Sequence, residues 1–186
     1  MSFQIQYYYK FYLVNFVILM INLFLCRHAK SSWADTGLRD IERPLNERGK
    51  FDAPLMGEIL KNKQESADLI LSSPAKRAFK TAKIIAEKIG YDLKDIEIED
   101  DLYMAGTNDF LNVLEKMNSK NKNIMLFSHN FGITDFANYI SNSKIANIPT
   151  CGIVKINFSF SDWKKIKNNK GTLQYFIYPK MFKHGS

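Results

Sequence analysis

Cysteine and histidine are scarce in this sequence, and each shortage excludes something. Cys26 and Cys151 are the only cysteines and stand 125 positions apart, in no CxxC or Cys/His pattern. That excludes a disulfide scaffold and supplies no zinc-binding spacing, so an intracellular, metal-free protein is expected. Glycine, at 9 residues, and proline, at 5, are too few for a fibrous or low-complexity chain. The sequence also lacks a long apolar run. Residues Phe11 to Cys26 come nearest, sixteen positions interrupted by Asn15 and Asn22, which falls short of the ~20 residues that span a bilayer. A secretory signal is not indicated either, because only Lys10 precedes the run and no small-residue cleavage site follows before Arg27.

What is present reads as ordinary globular protein. Hydrophobic residues make up 46% and charged residues 24% of 186 positions, enough for one domain with a substantial core. The net charge of +7 favours anionic partners without choosing among them. Residues 1–19 are read as an N-terminal extension of unknown role, with Met20 a candidate natural start. Residues 20–180 form the domain, and 181–186 a tail in which His184 is expected at the surface.

Strand and helix patterns alternate along the domain. Ile21–Cys26 reads as a buried strand, followed by a polar loop to Leu45 and a helix from Asn46 to Lys61 that Pro54 should perturb. Asp68–Ser72 is a second strand. Ser73 and Pro74 look like the cap and first-turn proline of a helix that Gly90 stops. Ile96–Ile98 is a weak strand and Asp109–Met117 a helix. Asn123–Ser128 is a strand whose exit, His129-Asn130, introduces another helix. Ile153–Phe160 and Leu173–Tyr178 are strands joined by a hairpin-like connection carrying Lys164, Lys165, Lys167 and Lys170. The order predicts an α/β fold, a three-layer α/β/α sandwich with a mostly parallel sheet and its site outside the carboxyl ends of the strands.

Three strand ends carry the chemistry: Arg27-His28, then Ser72-Ser73-Pro74 with Arg77, then His129. Two arginines and two histidines converging there would form a pocket for a dianion such as phosphate. Arg77, in a helix's first turn, opposes the macrodipole unless an anion lies close.

Four blocks then resemble a known family. Leu23-Phe-Leu-Cys-Arg27-His28-Ala29-Lys30-Ser31-Ser32-Trp33, Arg43-Pro-Leu-Asn-Glu-Arg-Gly49, Ser72-Ser-Pro-Ala-Lys-Arg77-Ala-Phe-Lys-Thr81-Ala82 and Phe127-Ser-His129-Asn130 look like the signature blocks of the histidine phosphatase, or phosphoglycerate mutase-like, superfamily. They are most like its short SixA-type phosphohistidine phosphatase branch. The resemblance runs from about Ile21 to Tyr178. It implies that His28 is the nucleophile, attacking phosphorus through an unprotonated nitrogen while its other nitrogen donates to a backbone carbonyl. Arg27 and Arg77 would clamp phosphoryl oxygens, and His129 would donate to the charge built up in transfer. Ser31 is a further candidate contact, together with Lys30 and Ser32. No metal or cofactor is implied.

Two departures stand out, Ala29 and Ser128 where the family commonly has glycine. Many members also take a leaving-group acid from the segment after the second arginine. Glu97, Glu99, Asp100 and Asp101 crowd there without matching a motif, and the SixA-type branch lacks a clear equivalent. A phosphoramidate needs such an acid less than an alkyl ester does. A cytoplasmic protein phosphohistidine phosphatase is therefore expected, acting on a phosphorylated protein. A small-molecule phosphomonoesterase and a non-catalytic phosphate-binding module are the alternatives. Neither nucleic acid nor a membrane is expected as a partner. Trp33 reads as a lid or core anchor.

Overall fold

The computed structural model describes residues 20–183. The extension read over 1–19 and the end of the tail, His184 included, lie outside the described residues. Six strands form one sheet: β1 (Ile21–Arg27), β2 (Leu69–Ser72), β3 (Glu97–Ile98), β4 (Asn123–Ser128), β5 (Ile153–Phe158) and β6 (Thr172–Ile177). Their spatial order is β3-β2-β4-β1-β5-β6. The four strands from β3 to β1 run parallel, and β5 and β6 add an antiparallel hairpin on the β1 side.

Among the described residues four helices cover the sheet: α1 (Glu47–Asn62), α2 (Lys76–Ile89), α3 (Thr107–Glu115) and α4 (Gly132–Ser141). Alternate residues of β1 sort to opposite faces. Leu23 and Leu25 pack with Phe110, Leu114, Phe136 and Ile140 of α3 and α4, while Phe24 and Cys26 pack with Met56 and Leu60 of α1 and Ile85 of α2. A strand buried on both faces has no polar side, which is why β1, β2 and β4 read as continuous apolar runs. The architecture is the three-layer α/β/α sandwich with a mostly parallel sheet.

Local chemistry explains most boundaries. Asn46 caps α1 by accepting from the Gly49 backbone N–H, and Gly90 ends α2 at φ +77°, a left-handed turn that glycine makes without strain. Pro54 sits inside α1 without ending it. The expected cap of α2 is a correction. That helix starts at Lys76 after Ala75, with no side-chain cap, because Ser73 Oγ is engaged by a histidine as described below. The connection after β5 also differs from a plain hairpin. It holds a 3-10 helix, Trp163–Asn168, whose Trp163 is buried and donates Nε1–H to the Asn121 carbonyl at 2.7 Å. No helix among the described residues is long and apolar enough to cross a membrane.

Candidate active site

The carboxyl ends of β2, β4 and β1 lie side by side, and backbone hydrogen bonds tie them where the titratable residues emerge. His28 N–H donates to the Ser128 carbonyl at 3.1 Å, and Ser73 N–H donates to the Phe127 carbonyl at 2.9 Å. The parallel pairing of β1 with β4 sets Arg27 opposite Ser128, so His28 and His129 leave adjacent strands at the same height. Their ring centroids are 5.0 Å apart. Helix α2 closes the third side with Arg77. Its Thr81 hydroxyl accepts from the Ala29 N–H at 3.0 Å and donates to the Arg77 carbonyl at 2.6 Å, fastening the exit of β1 to the helix.

The tautomer of His28 follows from its neighbour. Nδ1 lies 2.7 Å from the Ala29 carbonyl oxygen, which can only accept. The proton therefore sits on Nδ1 and Nε2 presents a lone pair, toward which Arg77 Nε–H donates at 3.3 Å. Burial holds His28 down at about 4, helped by the charges of Arg77, Arg27 and Arg43 and opposed by the Ala29 bond. Near neutral pH it is a neutral, buried imidazole whose Nε2 is unprotonated.

His129 is also neutral. Burial, then the proximity of His28 and Arg77, holds it at about 3 against the pull of Asp40. Arg77 Nη2–H donates to its Nδ1 at 3.3 Å, so its own proton lies on Nε2 and reaches Ser73 Oγ at 2.8 Å. The nitrogen facing Arg77 thus accepts, where the resemblance led us to expect a donor.

Arg77 is only 4% exposed and makes no contact as a solvated surface arginine would. Its anion is Asp40, from the 3-10 turn Asp40–Glu42: Nη2 meets the carboxylate at 2.7 Å and Nη1 the backbone carbonyl at 2.5 Å. Asp40 also accepts from Arg43 Nη1 at 2.6 Å and from the Tyr103 hydroxyl at 3.0 Å. Burial alone would raise this carboxyl, but the bonds from Arg77, Tyr103 and Arg43 hold it down at about 2.

Arg27 donates through Nη1 to the Ile148 carbonyl at 2.6 Å, and its Nε is buried with no hydrogen-bond partner. Ser31 Oγ accepts from Arg43 Nη2 at 2.5 Å, leaving its own proton to donate elsewhere. All five residues expected at the site, Arg27, His28, Ser31, Arg77 and His129, line one cavity of about 280 Å3, together with Lys30, Asp40 and Arg43. Trp33 also lines this cavity. It is 69% exposed and stacked 3.1 Å from the Arg43 guanidinium, at the rim and not in the core. Met104 at the same mouth and Phe131 after the His129 strand end are 70% and 75% exposed.

Sequence reading passed over Asp40, Tyr103 and the second role of Ser73. Glu97, Glu99, Asp100 and Asp101 do not line the cavity. No cluster of three or more potential metal ligands occurs among the described residues. The site can accept a tetrahedral dianion between guanidinium and imidazole groups and offer it a nitrogen nucleophile.

Residues 23–103, which contain Arg27, His28, Asp40, Arg43 and Arg77, match the model of the histidine phosphatase superfamily, branch 1. An uncharacterized chloroplastic protein of Arabidopsis thaliana is 30% identical over 151 residues, 77% of this chain and 69% of that one. The chain belongs to the histidine phosphatase superfamily. Among solved structures, a histidine phosphatase of Agrobacterium tumefaciens assigned as phosphohistidine phosphatase SixA superposes with a TM-score of 0.71 at 26% identity, covering 86% of this chain and 98% of that one. A protein histidine phosphatase SixA complexed with tungstate gives a TM-score of 0.75 at 19% identity, covering 88% and 100%. The protein is a phosphatase of SixA-like, phosphoglycerate mutase-like architecture.

Proposed function

We propose that this histidine phosphatase removes phosphoryl groups from phosphohistidine on proteins, through a covalent phosphohistidine at His28. The observation that carries the reading is the protonation state of His28. A neutral imidazole with its proton fixed on the Ala29 carbonyl points its Nε2 lone pair at the cationic edge of Arg77. In the first step Nε2 attacks phosphorus, the bond from phosphorus to the substrate nitrogen breaks, and the departing imidazole takes a proton from solvent. In the second, water attacks phosphorus, the bond to Nε2 breaks, and inorganic phosphate leaves. Arg27 Nε and the His-facing edge of Arg77 supply donors to the phosphoryl oxygens, with Ser31 beside them. His129 joins them by gaining a proton, which a bound dianion favours against the burial and the Arg77 charge that otherwise keep it neutral.

Two features support a protein-borne phosphoramidate. Among the described residues Asp40 is the only carboxylate lining the cavity, and at about 2 it stays ionised near neutral pH. The pocket therefore offers no carboxylic acid to an alkoxide leaving group, whereas imidazole departs without one. Exposed Trp33 and Met104 also line the mouth, and exposed Phe131 follows the lining residue Asn130, an apolar surface suited to a partner larger than a small ester.

The test is intact-mass trapping of phosphoenzyme with an aryl phosphate and with a phosphohistidine-bearing protein. Wild type should carry one acid-labile phosphate, with the higher kcat/KM on the protein, and His28→Ala should show neither phosphoenzyme nor turnover. Faster turnover of small esters would favour the phosphomonoesterase, and unchanged activity in His28→Ala would end the mechanism.

A further inference from the structure

A planar guanidinium has two donor edges, and Arg77 divides them between two sets of partners. The side-on edge, Nε and Nη2, meets His28 Nε2 and His129 Nδ1, each at 3.3 Å. The end-on edge, Nη1 and Nη2, meets the Asp40 carbonyl at 2.5 Å and its carboxylate at 2.7 Å. We propose that Asp40 is the positioning residue of this site, latching the end-on edge of Arg77 so that the side-on edge faces the two imidazoles and the phosphoryl group that enters between them. The inference rests on the histidine-nucleophile reading above.

The latch is braced on all sides. The other carboxylate oxygen of Asp40 takes Arg43 Nη1 at 2.6 Å, and the Tyr103 hydroxyl donates to the oxygen that binds Arg77 at 3.0 Å. Arg43 is fixed in turn by Ser31 Oγ at 2.5 Å and the Ser32 carbonyl at 3.0 Å, and it stacks on Trp33. One carboxylate thus joins the loop after β1, the first turn of α2 and the segment after β3. Charge argues against a role in attracting substrate, because an anion in an anion pocket repels phosphate. It argues equally against a leaving-group acid, since the carboxyl, held at about 2, is ionised near neutral pH. What remains is geometry: rigid donors aimed where charge develops act on the transition state, and loosening them is costly.

These effects have opposite signs in the ground state and the transition state, which gives the test its resolution. Asp40→Asn keeps the shape, removes the repelling charge, and sets an amide N–H2 against one of two arginines. With a series of aryl phosphates, kcat should fall by about 10²-fold, the scale of a misplaced catalytic group. KM, and the inhibition constant of inorganic phosphate, should stay level or fall. The loss should be the same for good and poor leaving groups. It should also shrink strongly in an Arg77→Ala background, read by single-turnover phosphoenzyme formation, because Asp40 acts through Arg77. Tyr103→Phe, which removes one brace, should show the same signature in smaller degree and serves if Asp40→Asn folds poorly.

Unchanged kcat with tighter phosphate binding would make Asp40 an occupant that substrate displaces, overturning the inference. A loss that steepens with leaving-group basicity would make it an acid, and a full loss persisting in Arg77→Ala would break the link to Arg77. Each leaves the His28 reading standing, since that depends on the phosphoenzyme alone.

Discussion

At the scale of single residues, the site is two neutral histidines surrounded by arginines, and stability should record this. His28 and His129 are held at about 4 and about 3 in the fold, chiefly by burial, whereas an exposed histidine titrates near 6.5. As pH falls below about 6.5 the unfolded chain takes up protons that the folded chain refuses, so stability drops. The loss continues until the folded state also protonates, near 4 and 3, and amounts to a few kcal/mol, order of magnitude, for the pair. Asp40, held at about 2, has the depressed value usual for a paired carboxylate, so its contribution is lost only as pH falls below about 4. The histidines therefore set most of the window from pH 6.5 to 4.5, with Glu42 and Glu58, whose carboxyls are held low by Arg39 and Lys88, entering only toward its lower end. Tm measured across it should fall, and should fall less in His129→Gln; an equal slope in that variant would mean His129 is not held neutral by its surroundings.

At the scale of elements, each piece of the site is carried by an ordinary α/β unit, and β1, β2, β4 and α2 were legible because apolar runs and helical spacing are local signals. The four histidine and arginine positions were legible because they stand at strand ends or inside recognisable blocks. Asp40 was not, because it meets Arg77 across 37 residues of chain with no periodic signal. Ser73 was misread for the opposite reason: Ser-Pro fits a local capping rule, yet its hydroxyl is 2.8 Å from His129, 56 residues away, and 3.3 Å from the nearby Ala75 N–H. A local rule lost to a tertiary bond. Thr81 shows what such bonds do for the element. Its hydroxyl holds the Ala29 N–H, and the carbonyl of the same residue fixes His28. Thr81→Val preserves shape and leaves that buried N–H unpaired, which should destabilise the fold by about 1–3 kcal/mol. Because the anchor of His28 loosens as well, kcat on an aryl phosphate should fall together with Tm. Loss of Tm with full kcat would confine Thr81 to packing.

At the scale of the molecule, the sheet brings Arg27, Arg77, His28 and His129 together at one end, and the exposed apolar side chains Trp33, Met104 and Phe131 stand at that same end on three separate connections. Exposed large apolar groups scattered singly need no explanation, but two lining the mouth of a charged pocket with a third on the adjacent connection suit a partner that covers them. A phosphoryl group on a protein brings such a surface with it, and a free phosphate ester does not. The net charge of +7 adds long-range attraction for an acidic partner. Phe131 separates these cases best, since it is 75% exposed and does not line the cavity. Phe131→Ala should lower kcat/KM on a phosphohistidine-bearing protein by about 5- to 30-fold, the equivalent of the 1–2 kcal/mol typical of an interface contact that matters. On an aryl phosphate it should change little. An equal loss on both substrates would place Phe131 in the support of α4, and no loss on either would leave the mouth without a docking role for that residue.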